Sequence, residues 1–174
     1  MKNILEHFLD ALNINYTKRF IRKLYQEHPH KYNVYGLKRM LDVYGVKSIG
    51  VQVETLDPSK LSYPCIIHTH GEFVVGINCG TDTITYLQQG KKITINNEVF
   101  NRLWTGNALV VEETTNAIEP NYQKNLWEAL ISKIKTYSIP LMLVLIIAIA
   151  LTDRFANISN IDTARIVLSS IGIG

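Results

Sequence analysis

An α+β fold, with N-terminal helices followed by an antiparallel sheet and then a transmembrane helix, is what this sequence predicts. Three observations carry the expectation. Apolar residues recur at helical spacing as far as Tyr44, the period changes to two from Ile49 onward, and an uncharged apolar run occupies Tyr137 to Thr152.

Ile4, Leu5, Phe8, Leu9 and Leu12 share one face of a first short helix, and Phe20, Ile21, Leu24 and Tyr25 one face of a second. Thr17 stands where the second helix needs an N-cap, and Pro29 closes it. Leu37, Met40, Leu41 and Tyr44 define a third helix, with Gly45 at the left-handed position beyond its end. Ile49, Val51 and Val53 then alternate with polar residues. The segments CIIHT, EFVVGIN, TITYL and KITIN follow, separated by Gly71, the turn Cys79 to Asp82, and Gln89-Gly90. Asn97 to Trp104 reads as a turn or two of helix before a closing strand, ALVVEE.

Polar, Pro-containing sequence from Thr114 to Asn125 has the character of a linker, and Leu126 to Lys135 that of an amphipathic lead-in. The apolar run would cover about 24 Å as a helix. Lys133, Lys135 and Arg154 extend it by snorkelling their charges to the headgroups, and Trp127 and Tyr137 suit an interfacial belt. The expected organisation is therefore a soluble domain over 1–114, a linker and lead-in over 115–135, a transmembrane helix over 136–153, and over 154–174 a short loop and the start of a second apolar segment. That last segment, from Ile166, is too short to cross a bilayer, so the chain reads as a fragment, or a truncated relative, of a longer polytopic protein.

Glu6 and Asp10 in the first turns do not suit a signal peptide. Lys124, Lys133 and Lys135 before the run, against Arg154 and Arg165 after it, favour a cytoplasmic side for the N-terminal domain. The formal charge of +3 is too small to imply nucleic acid. Its basic residues gather at Lys18, Arg19, Arg22 and Lys23, the pattern of a solvated helix face. Cys65 and Cys79 form no C-x-x-C and no zinc spacing, which excludes a disulfide framework.

The ordered set Gly36, Leu37, Leu41, Gly45, Pro64, Phe73, Val74, Val75, Gly90, Phe100, Trp104 and Gly106 resembles the papain-like leader-peptidase domains of cysteine-peptidase family thirty-nine. Those domains, of double-glycine specificity, stand at the N-termini of bacteriocin-exporting ABC transporters. The resemblance implies a catalytic Cys, His and Asp, and this chain departs from all three. Its first helices carry no Cys, Glu72 occupies the family's His position, and Leu87 or Gln88 the Asp position. A carboxylate cannot replace an imidazole that takes and returns a proton near neutrality. A further resemblance, carried by the stretch HPHKYNVYGLKRMLDVYGV and the closely spaced apolar segments, is to the N-terminal part of bacterial vitamin K epoxide reductase fusions. It implies a thioredoxin-like partner, although the apolar segments here carry no cysteine.

The expected function is thus a membrane-anchored, catalytically inactive peptidase-like domain that binds a peptide or partner segment. Tyr35, His70, Glu72 and Trp104 are its groove candidates, and each also reads as a structural residue, Trp104 above all. The alternatives are an accessory part of a quinone-linked thiol oxidoreductase and an active leader peptidase with Cys65 as a relocated nucleophile. No cofactor is expected. His68, His70 and Glu72 share strand parity, as a metal site would require, but Gly71 makes a turn an equal reading and no metal site is assigned.

Overall fold

The structure, a computed structural model, describes residues 2–53, 57–170 and 172, and all side chains among them except those of 153–165 and 167–169. It divides into two units, residues 1–126 and 127–174.

The first unit opens with α1 (Ile4–Ala11), α2 (Lys18–Glu27) and α3 (Val34–Val43). A capping box starts α1: the Asn3 side chain accepts from the Glu6 amide, and the Glu6 carboxylate accepts from the Asn3 amide, each at 2.8 Å. Glu6 is wholly buried and also accepts from Arg22 of α2 at 3.3 Å, which ties the two helices together. At the end of α3, Gly45 takes the left-handed conformation with φ of 75°.

Six antiparallel strands follow: β1 (Lys47–Gln52), β2 (Cys65–Thr69), β3 (Phe73–Cys79), β4 (Thr83–Gln88), β5 (Lys91–Asn96) and β6 (Trp104–Glu113), in the spatial order β1-β6-β2-β3-β4-β5. A further helix, α4 (Asn97–Leu103), lies between β5 and β6. Strand alternation sends side chains to two cores. On the helix face Ile66, Val75 and Leu109 meet Leu5, Phe8, Leu9, Ile21, Leu37 and Met40. On the other face Cys65, Ile67, Val74, Ile84, Tyr86 and Ala108 meet Phe100 and Trp104.

Ile49, which alternates with polar residues in register with Val51, is 46% exposed. It lies on an edge strand, and α4 packs against β4 and β5 at the far side of the sheet. The stretch expected to be a linker is packed instead: the Ile118 amide donates to the Tyr44 carbonyl at 2.9 Å, and Glu119 is buried. The Glu119 carboxylate accepts from both the amide and the hydroxyl of Thr17, and from Asn125 at 2.7 Å. Thr17 is the N-cap of α2 but makes no side-chain cap bond of its own, so a carboxylate distant in sequence satisfies the start of that helix.

The helix α5 (Tyr122–Ser170) leads into the second unit. Its stretch Tyr122–Thr152 is long and apolar enough to cross a membrane. Hydroxyls along it bond back to the helix, Thr136 to the Ser132 carbonyl at 2.9 Å and Thr152 to that of Ile149 at 2.7 Å, so they add no unmet polar group. The loop expected after residue 153 is helical backbone, continuous to Ser170. The charges of Arg154 and Arg165, which entered the orientation expectation, lie outside the described side chains.

Candidate functional site

A cleft of about 410 Å³ opens where four pieces of the first unit converge. Asn3, Ile4 and His7 come from the start of α1, Tyr25 and Tyr32 from α2 and the loop after it, His68, Glu72 and Phe73 from the β2–β3 connection, and Leu87 and Gln89 from the β4–β5 hairpin.

Each piece is held by local chemistry. The capping box fixes the first turn of α1. The loop after α2 lies directly on Gly36: a Cβ there would meet the His30 carbonyl oxygen at 1.8 Å, so only glycine lets this loop close over α3. The β2–β3 connection is closed by the Thr69 amide and hydroxyl, which donate to the Glu72 carbonyl at 2.9 and 2.6 Å. The β4–β5 hairpin turns on two residues of positive φ, Gln89 at 50° and Gly90 at 84°, which is type I′ geometry. The ring of His7 packs against Gly90.

Glu72 is the carboxylate of the cleft. Gln88 donates to its Oε1 at 2.9 Å, and Gln89 approaches Oε1 at 3.4 Å and Oε2 at 3.5 Å. Lys2, the lysine at the cleft, pairs with Asp10. The His68 ring lies tilted against that of Phe73, with ring centres 4.7 Å apart, and its Nδ1 lies 2.9 Å from the Thr105 hydroxyl. The same hydroxyl donates to the His68 carbonyl at 2.9 Å. Burial, with Tyr32 nearby, raises the Tyr25 phenol above its ordinary range, so Tyr25 stays a neutral donor.

Of the four groove candidates read from sequence, Glu72 lines the cleft and the other three lie elsewhere. Trp104 is 2% exposed in the core of the opposite sheet face, its indole donating to the Asn107 carbonyl at 3.0 Å. Tyr35 is exposed, with its ring edge-on to His30. His70 is exposed just past β2, its amide bonded to the Leu103 carbonyl. The positions assigned to the family's His and Asp are adjacent in space: Gln88 bonds Glu72, and Leu87 lines the same cleft. His68, His70 and Glu72 do not converge, and no metal-binding group occurs among the described residues. Tyr25, Tyr32 and Gln89 were not foreseen as cleft residues. Gln89 alone had a signal, as the residue before Gly90 in a tight turn.

The two thiols are remote from this chemistry. Cys65 is buried on the sheet face opposite the helices, and burial pushes its pKa up to about 12. Cys79 is half-buried at the end of β3, its thiol donating to the Gly80 carbonyl and lying 3.6 Å from the Asn97 side-chain oxygen.

Residues 3–116 match the Peptidase C39 family. The chain belongs to that family. Three solved structures share the fold of this C39 domain. A double glycine motif protease from an AMS/PCAT transporter, solved in complex with the leader peptide, is 23% identical over 62% of this chain and 79% of that one, with a TM-score of 0.53. The peptidase domain of Streptococcus ComA, a bi-functional ABC transporter of a quorum-sensing pathway, is 18% identical over 62% of this chain and 86% of that one, with a TM-score of 0.52. The N-terminal peptidase C39-like domain of a toxin secretion ATP-binding protein from Vibrio parahaemolyticus is 18% identical over 65% of this chain and 98% of that one, at 0.51. No curated protein matches the chain.

Proposed function

We propose that this C39 domain binds an extended peptide segment in the cleft beside Glu72 without cleaving it, and that α5 anchors it in a membrane. One observation carries the reading: the cleft is walled by carboxylate, amide, imidazole and aromatic groups and has no thiol among its lining residues. Family-type proteolysis needs a thiolate beside a base. Cys65 meets neither condition, since it is buried, holds its proton strongly and faces away from His68. Binding needs only a shaped apolar cleft with a few hydrogen-bonding groups. The relative solved with its leader peptide supports that choice of ligand.

The test is a titration of labelled double-glycine-type leader peptides into the full chain in nanodiscs, with mass spectrometry of the peptide afterwards. Saturable binding of peptide recovered intact is expected; cleavage after the glycine pair, or no saturation, overturns the proposal. Anchoring with the domain on the cytoplasmic side rests on the apolar stretch of α5 and on Lys124, Lys133 and Lys135 ahead of its uncharged part. Reporter fusions after Asn125 that read out on the periplasmic side would reverse it. A thiol-oxidoreductase role draws no support from α5, which carries no cysteine.

A further inference from the structure

We propose that the cleft selects peptides carrying a basic side chain, with Glu72 as its counter-charge and the rings of Tyr25, Tyr32 and Phe73 as its walls. The inference rests on the peptide-binding reading above and adds the chemical class of the bound residue. Its first support is charge accounting. The described partners of the Glu72 carboxylate are the neutral amides of Gln88 and Gln89, and an ionised carboxylate accepts about four hydrogen bonds, so acceptor capacity remains. Lys2, which lines the cleft, is engaged by Asp10, and Lys31, beside the Tyr32 ring, donates to the Gln26 carbonyl. A half-buried carboxylate with no cationic partner among the described residues gains most from a ligand that brings one, because a charge-assisted bond is roughly twice as strong as a neutral one.

The second support is the wall. Tyrosine and phenylalanine faces attract cations and cover the apolar stem of Lys or Arg. Tyr32 already does so for a resident cation, the Lys31 ammonium lying 5.3 Å from its ring centre. The third is the way Glu72 is fixed. Thr69 closes the turn beneath it, and Gln88 clamps one oxygen from the neighbouring strand, so the carboxylate is pre-oriented and little ordering entropy is lost on binding.

The experiment uses the full chain in nanodiscs and short acetylated peptides ending in Gly-Gly. A single arginine is walked along an otherwise neutral sequence, and each peptide is paired with its citrulline counterpart, which keeps the shape and loses the charge. At one position the arginine peptide is expected to bind roughly tenfold or more tightly than its citrulline partner, with the gap narrowing as salt is raised. Glu72→Gln, nearly isosteric, should bring the arginine peptide down to the citrulline level. If every pair binds alike and saturably, the charge selection is wrong while the peptide-binding function stands. If no peptide binds, both fall. If the arginine preference survives Glu72→Gln in protein with unchanged circular dichroism, the counter-charge assigned here is overturned.

Discussion

Gly36 lets the loop that carries Tyr32 close over α3. A methyl group at this position would stand 1.8 Å from a backbone oxygen of the loop that carries Tyr32. Backbone cannot yield as a side chain does, so the loop has to lift from α3. Gly36→Ala is expected to cost about 1–3 kcal/mol, in the range of overpacked sites, and to weaken peptide binding with it. Urea titration and the leader-peptide titration read the two effects. Cys65 makes a different prediction. Its folded pKa is raised to about 12 from an ordinary 9.0, so below pH 9 both folded and unfolded thiols are protonated and nothing changes. Above pH 9 the unfolded chain releases a proton that the folded chain retains, and stability falls as pH rises. Tyr16, Tyr44 and Tyr63, raised by burial above their ordinary 10.0, add a loss of the same sign at higher pH. Urea midpoints at pH 7, 9 and 10 should therefore decline, and Cys65→Ala should flatten the step between 9 and 10. The same burial predicts that Cys79 alkylates before Cys65 in native protein.

Among the elements, α2 shows how a helix start is completed from outside its own sequence. The Glu119 carboxylate takes the Thr17 amide and hydroxyl and places negative charge at the helix N-terminus, where the backbone amides lack partners. Glu119→Ala leaves those buried donors unmet and is expected to destabilise the fold by about 2–3 kcal/mol. Glu119→Gln keeps an acceptor and should cost less, an order that thermal melts of the two variants would check. This contact also marks the limit of what sequence carried. The three helices and the strand alternation were legible because burial imposes a period on apolar residues. Glu119 was not, since a polar residue in a Pro-containing stretch has no period, and its burial depends on Thr17 lying opposite. The cleft divided in the same way. Glu72 was read as the family's His position and Leu87 or Gln88 as its Asp position, whereas Tyr25 reaches the cleft from α2 and Tyr32 from the loop that closes over Gly36. Trp104, a rim candidate that also read as a core residue, lies in the core of the opposite sheet face.

At the scale of the whole molecule, the proposed anchoring and the proposed recognition fall to different units of the chain. The uncharged part of α5 is well suited to lipid, and Leu145→Arg near its middle carries an insertion penalty of about 3 kcal/mol, enough to move the chain out of the membrane fraction. The cleft draws only on residues of the first unit, so that loss should leave its affinity alone. Where the first unit ends then becomes a physical question. A chain stopped at residue 114 keeps every strand and every cleft residue but loses the Ile118 bond to Tyr44 and the Glu119 clasp on Thr17, and it leaves the buried start of α2 unsatisfied. A chain stopped at residue 126 keeps both, together with Asn125, which holds the Glu119 carboxylate in place. The longer fragment is expected to melt cooperatively, well above the shorter one, and to bind leader peptide with the affinity of the full chain. Equal melting temperatures for the two fragments would show that the segment after β6 only rests on the domain and does not complete it.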